Sequence, residues 1–134
     1  SAILPVVMGF NSILSSAAFE KIANLRFSFL EAGAAWIPFL LKQVRRDNMR
    51  RKLAKDPVEY FQSGKVFVSA EPDEDLTGIA GLIGEDSFVL GSDYPHGDPS
   101  RQEDMVAEFR QRKDLSQTMV EKMLSDNPKR LYGF

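Results

Sequence analysis

Val66-Phe67-Val68-Ser69-Ala70, followed by Glu71-Pro72-Asp73 and then by Leu76, Ile79, Ala80 and Ile83 at helical spacing, is the stretch on which the fold turns. The first five residues are short, β-branched and apolar without alternation, the pattern of a strand buried on both faces. The residues after them recur on one helical face, and Gly84 supplies a stop. Asp73 is expected to cap this helix and Glu74 to favour its positive end. The same order of elements occurs on either side. Upstream, the run Leu25 to Leu30 precedes Gly33 and a helix from about Ala34 to Arg46, where Trp36, Phe39, Leu40 and Val44 recur and Pro38 sits in the first turn. Downstream, Ser87-Phe88-Val89-Leu90-Gly91 precedes Pro99 and Ser100 and a helix with Met105, Val106 and Phe109 inward. Strands over residues 25–31, 66–70 and 87–92 alternating with helices predict an α/β fold with a parallel sheet and right-handed crossovers.

Flanking helices complete the pattern. Asn11 to Ile22 forms one, with Ile13, Leu14, Ala17, Ala18 and Ile22 on a face. Ser116 caps another, whose Met119, Val120, Met123 and Leu124 form an apolar stripe. Asn127-Pro128 opens a last short helix that Gly133 ends. Residues 47–64 read either as a helix from Met49 to Ala54 or as a long loop. The 134 residues are a single domain's worth of chain, and no second domain is visible.

Composition narrows the function. The chain is 43% hydrophobic and 27% charged, which is globular rather than disordered. It has no cysteine, which excludes disulfides, thiolate zinc sites and cysteine catalysis among these residues. No apolar stretch approaches the roughly 20 residues of a membrane span, and Ser1 to Phe10 lacks the basic region of a signal peptide. A cytoplasmic protein with no membrane partner is the expectation. The net charge of −2 points to no polyanionic partner either, although Lys42, Arg45, Arg46, Arg50, Arg51, Lys52 and Lys55 face only Asp47 within residues 42–55. That cluster reads first as a solvated helix end with cations near the negative pole of the dipole. No aromatics interleave with it as nucleic-acid stacking would require, so nucleic-acid binding ranks last.

In parallel α/β folds the chemistry gathers where strands end. Strand one ends at Glu31, strand two at Glu71 and strand three at Asp93, with His96, the chain's one histidine, just beyond. Each has a plainer alternative. Asp93 could accept backbone N–H bonds within the Asp93-Tyr94-Pro95-His96 turn, Glu71 could help cap the following helix, and His96 could be solvated. Glu31, between aliphatic neighbours, calls for a cation, a donor or a metal nearby. Neither a phosphate-binding glycine loop between strand and helix nor a G-x-S-x-G elbow is present.

Four segments, taken in order, carry a resemblance: Leu30-Glu31-Ala32-Gly33-Ala34-Ala35-Trp36-Ile37-Pro38, Ser69-Ala70-Glu71-Pro72-Asp73-Glu74, Gly91-Ser92-Asp93-Tyr94-Pro95-His96-Gly97-Asp98 and Asn127-Pro128-Lys129-Arg130-Leu131-Tyr132-Gly133-Phe134. Together they are similar to the amidohydrolase-related metal-dependent hydrolases, the branch that also holds the aminocarboxymuconate-semialdehyde decarboxylase-like enzymes. The aspartate turn and the closing Asn-Pro-x-Arg-Leu-Tyr-Gly are its most specific pieces. The resemblance implies that the three strands are the last three of a (β/α)8 TIM barrel. It implies that Asp93 binds a divalent metal, zinc first and manganese second, and helps activate its water. It sets Glu31 at the end of the sixth strand, where the decarboxylase-like members carry an acid–base histidine, and His96 at the border of the site. The family's remaining ligands are a His-x-His pair at the first strand and a histidine at the fifth. With one histidine, and 134 residues against the roughly 250 of a whole barrel, the chain resembles the C-terminal half of such an enzyme.

The functional expectation is therefore a fragment of a metal-dependent hydrolase acting on a small molecule, inactive by itself. Asp93 serves as metal ligand or base, Glu31 and His96 in acid–base roles, and Glu71 and Tyr94 on substrate. The alternatives are a metal-dependent decarboxylase and a catalytically inactive half-barrel. The runs Leu25 to Leu30 and Val66 to Ala70 carry little charge to blunt a sheet edge, so the partner is either a second copy, as a homo-oligomer, or the missing N-terminal half.

Overall fold

Three strands pair in parallel and in chain order: β1 (Phe27–Phe29), β2 (Val66–Ala70) and β3 (Phe88–Leu90). The computed structural model that shows this describes residues 3–91 and 104–134. β1 and β3 are shorter than the expected 25–31 and 87–92, and Ser92 lies outside the described residues. Apolar side chains continue past the ladder, where the backbone already turns toward the next helix. Phe27 stands opposite Val66, Phe29 opposite Val68, Val68 opposite Phe88, and Ala70 opposite Leu90. With a side-chain period of two, these residues share one face. Ser28, Phe67, Ser69 and Val89 point to the other. All five residues of β2 are buried, as an unalternating apolar run requires, whereas the edge strand β1 is only half-buried. β2 is the central strand, so the expectation that Val66 to Ala70 offers a free edge is corrected.

Helices cover the first face. α1 (Ile3–Ser15) begins earlier than the expected Asn11, because Val6, Val7, Phe10, Ile13 and Leu14 continue the apolar stripe toward the N-terminus. The chain then breaks at Ala17, which takes a left-handed φ of 54°, and α2 (Ala18–Lys21) is a separate turn. Phe10 lies at the centre of an aromatic cluster with Phe29, Trp36 and Phe61, at centroid separations of 5.6, 6.0 and 5.6 Å. Edge-to-face contacts of this kind add to simple burial.

α3 (Ile37–Arg51) buries Ile37, Leu40, Leu41 and Val44 but leaves Phe39 60% exposed, so Phe39 is not on the inward face. It outruns the expected end at Arg46 by five residues. The helix α4 (Pro57–Gln62) occupies a segment read as helix or loop ending in uncertainty, and its signal was in the chain. Asp56 accepts from Val58 N, and Glu59 Oε1 accepts from Asp56 N at 3.1 Å, a capping box with Pro57 at the first helical position. α5 (Leu76–Ile83) is capped by Asp75, which accepts from Gly78 N, and not by Asp73. α6 (Met105–Gln111) is capped by Asp104; it buries Met105 and Phe109 while Val106 is exposed, and Pro99 and Ser100 lie outside the described residues.

α7 (Gln117–Glu121) is capped by Ser116 as expected, and it runs through a π-helical turn, Lys122–Asp126, into α8 (Asn127–Tyr132). Pro128 has no N–H for the carbonyl four residues back and its ring crowds that carbonyl, which accounts for a widened turn just before it. The inward stripe Met119, Val120, Met123 thereby continues into Asn127, which is fully buried. Asn127 Nδ2 donates to Glu85 O at 2.9 Å and to Phe88 O at 2.8 Å. Ser87 Oγ donates to Phe61 O, Arg26 Nη1 to Arg130 O, and Lys122 and Arg130 pair with Asp86. The closing Asn-Pro-x-Arg motif thus ties down the edge where the strands begin. Among the described residues, no helix is long and apolar enough to cross a membrane.

Asn127→Ala would strip one buried backbone carbonyl, Phe88 O, and one part-buried one, Glu85 O, of their donor. We expect a loss of about 2–4 kcal/mol in urea unfolding, because each unsatisfied buried group costs on the order of 1–3 kcal/mol. An unchanged midpoint would show that the motif does not hold the sheet.

Candidate functional site

Because the sheet is parallel, the chain leaves β1, β2 and β3 at one common edge. Glu31 and Glu71 both stand on it, as the sequence indicated. Asp93, Tyr94 and His96 lie outside the described residues, so their positions within the site stay expectations. The two described carboxylates differ. Glu31 is exposed, and among the described residues it has no partner, so burial does not force a cation, donor or metal beside it. Its backbone is left-handed at φ 62°, sparse territory for a residue with a Cβ and the kind of local strain that gathers at binding sites. Glu71 is half-buried. Burial, and after it the charges of Glu74 and Asp73, raise its pKa above the ordinary carboxylate value. It does not cap α5.

What holds this edge is Glu74, which the sequence reading assigned only to the dipole of the next helix. Its Oε1 accepts from Ala34 N at 2.6 Å and from Ala35 N at 2.7 Å, and its Oε2 accepts from Glu71 N at 2.9 Å. One carboxylate thus bridges the loop after β1 to the loop after β2, through charge-assisted bonds stronger than neutral ones. Gly33, at φ 60°, makes room for it: a Cβ there would come within 2.4 Å of Glu74 Oε1. Trp36 Nε1 donates to Gly33 O at 2.8 Å and fixes the loop from beneath. On the far side, Arg112 Nη1 donates to Pro72 O at 2.9 Å, so the loop bearing Glu71 is held from both flanks.

Sequence reasoning also passed over two hydroxyls. Ser28 and Ser69 sit on the sheet face away from the helices, and their Oγ atoms are buried without a hydrogen-bond partner. Ser69 lies next to the last residue of β2, and a Cβ on Gly91 would stand 3.8 Å from its Cβ. The signal was there: a polar residue inside an otherwise apolar strand.

A catalytic zinc needs three protein ligands. Among the described residues no group of three His, Cys, Asp or Glu could hold a metal. Glu74 is committed to backbone amides, which leaves Glu31, Glu71 and Asp73 as the uncommitted described carboxylates in these loops. These residues do not fit a metal by themselves.

A parallel, helix-covered sheet with its polar groups at the strand ends is the architecture of a TIM-barrel enzyme, seen in part. The profile of the amidohydrolase family matches residues 5–134, and the chain belongs to that family. It is similar to the crystal structure of an amidohydrolase from Mycobacterium avium subsp. paratuberculosis K-10, at 26% identity and a TM-score of 0.80 over 93% of this chain. The chain spans 32% of that structure's length. No match is found among curated proteins.

Two outcomes follow from this geometry. Glu74→Ala should cost about 2–4 kcal/mol, from three charge-assisted bonds to backbone amides, and Gly33→Ala about 1–3 kcal/mol, from left-handed strain plus displacement of the carboxylate. Their effects should be less than additive in a double-mutant cycle, since both act on one contact; full additivity would separate them. Glu71→Gln should stabilise the fold near neutral pH. A carboxylate whose folded pKa is raised makes stability fall as pH climbs from the unfolded to the folded pKa, so the variant's advantage should appear across that interval and vanish below it. A constant difference at all pH values would contradict the shift.

Proposed function

We propose that this chain is the C-terminal part of a metal-dependent hydrolase and supplies one wall of that enzyme's active site. What supports the reading is the shared strand-end edge, where Glu31 and Glu71 stand, in a chain of the amidohydrolase family whose sequence carries Asp93 shortly after β3. On this reading β1, β2 and β3 are the sixth, seventh and eighth barrel strands. The outer edges of β1 and β3 then pair with strands contributed from outside these residues, and the chain self-associates when those strands are withheld.

Asp93 serves as a ligand to a divalent metal, zinc before manganese, with the other ligands coming from outside this chain. Such a metal, when bound, brings the pKa of a water to about 7. Glu71, whose proton is held more tightly than usual, exchanges a proton with the substrate. Glu31, solvent-facing and unpartnered, accepts hydrogen bonds from a small-molecule substrate, and Tyr94 and His96 border the same space. Ser69 lends a buried hydroxyl beside Gly91. Carbon–carbon cleavage, as in the decarboxylase-like branch, is the competing chemistry; carbon dioxide among the products would mark it.

The test uses the intact enzyme. Asp93→Ala should lower both bound metal per chain, read by elemental mass spectrometry, and hydrolytic turnover, each by at least about 100-fold, beyond what loss of an outer-shell partner costs. Glu71→Gln should leave metal content unchanged while lowering kcat by about 10²–10⁴. Metal content and turnover that survive Asp93→Ala would sink the proposal.

A further inference from the structure

Away from the strand ends, a groove of about 440 Å³ runs between α3 and α5. Pro38, Leu41, Lys42, Arg45 and Arg46 form one wall and Leu82 the other. The two helices flank the central strand β2, so the groove is not the seam at β1 or β3 where further strands would attach.

Its charge is one-sided. Arg45 is spoken for, since its Nε and Nη2 reach Asp56 at 2.8 and 3.0 Å. The side chains of Lys42 and Arg46 are exposed and have neither ion pair nor hydrogen bond among the described residues. The opposite wall cannot answer them, because α5 contains no charged residue. Beyond it, Glu85 and Asp86 are engaged by Lys122 and Arg130. On α3 itself Asp47 is exposed but does not line the groove, so the cations at the groove outnumber its acids.

The apolar part is also open. Leu82 is 42% exposed and Pro38 across from it is exposed too, so burial would reward a partner. Beside Leu82 stands Gly81, inside α5, where an added Cβ would meet nothing within 4 Å. Glycine is a poor choice inside a helix unless something requires it, and among the described residues nothing crowds that position.

We propose that this groove docks an acidic amphipathic helix of a partner protein. Its apolar face would lie on Pro38 and Leu82, above Leu41 at the floor, and its carboxylates would meet Lys42 and Arg46. Lys42 and Arg46 are four residues apart, one turn along α3, which matches carboxylates one turn apart on a facing helix. A lone phosphate would want converging cations and would leave the apolar floor unused. A flat bilayer fits a concave groove poorly.

The test is fluorescence anisotropy of the intact enzyme that contains this chain with a labelled amphipathic helical peptide built of Leu, Ala and Glu. The peptide should bind, less tightly as salt rises. The double variant Lys42→Glu/Arg46→Glu and the single variant Leu82→Asp should each weaken binding about 10-fold with the fold intact by circular dichroism; all three positions are exposed. A matched peptide with Lys in place of Glu should not bind. The proposal is overturned if the Glu peptide fails to bind, if either variant binds it as tightly as wild type, or if the Lys peptide binds equally well. It is also overturned if phosphatidylserine vesicles or an oligonucleotide bind the groove and the Glu peptide does not.

Discussion

The carboxylate of Glu74, reaching back across the end of β2 to the amides of Ala34 and Ala35 while its second oxygen holds the amide of Glu71, is the contact on which the strand-end geometry rests. Parallel strands cannot be joined by tight hairpins, so their carboxyl ends run into independent loops. Something has to register those loops against one another. Here it is a single anion facing three N–H donors, with Gly33 giving it space and Trp36 bracing the loop that it holds. The left-handed turn at Glu31 persists because the residues after it are pinned in this way.

The two edges of the sheet divide the labour. Where strands begin, Asn127, Ser87, Lys122, Arg26 and Arg130 make hydrogen bonds and ion pairs whose only effect is to fix helices to strands. Where strands end, a carboxylate with a raised pKa, an exposed Glu31 and the buried Ser69 hydroxyl are not fully satisfied among the described residues; at the opposite edge Asn127 Oδ1 is the buried atom without a partner there. Barrel enzymes distribute stability and chemistry between their two faces in this sense. The closing Asn-Pro-x-Arg motif, one of the two most specific pieces of sequence, therefore acts where the strands begin.

Much of this was legible beforehand, and the reasons for the rest are specific. β2 was clear because burial on both faces removes alternation, and the caps at Ser116 and Gly133 were clear because capping is local chemistry. α4 was just as local in its capping box, but the basic run before it drew attention away from Asp56 and Glu59. Asp73, Glu74 and Asp75 could not be told apart by pattern. Three consecutive acids beside a helix start are all candidates for its cap, and only the position of the β1 loop gives Glu74 its different task.

The sequence by itself determined the periodicities: which runs are strands and, apart from Phe39 and Val106, which faces of the helices are apolar. Those follow from backbone geometry and from burial, which act within a few residues. The tertiary structure decided everything that depends on residues far apart in the chain. It made β2 the central strand, freed Glu31 and half-buried Glu71, and joined Glu74 to amides forty residues away. It also left Lys42 and Arg46 unanswered, because the helix that packs opposite them happens to carry no charge. Electrostatic partners are chosen by distance in space, and no spacing along the chain encodes that.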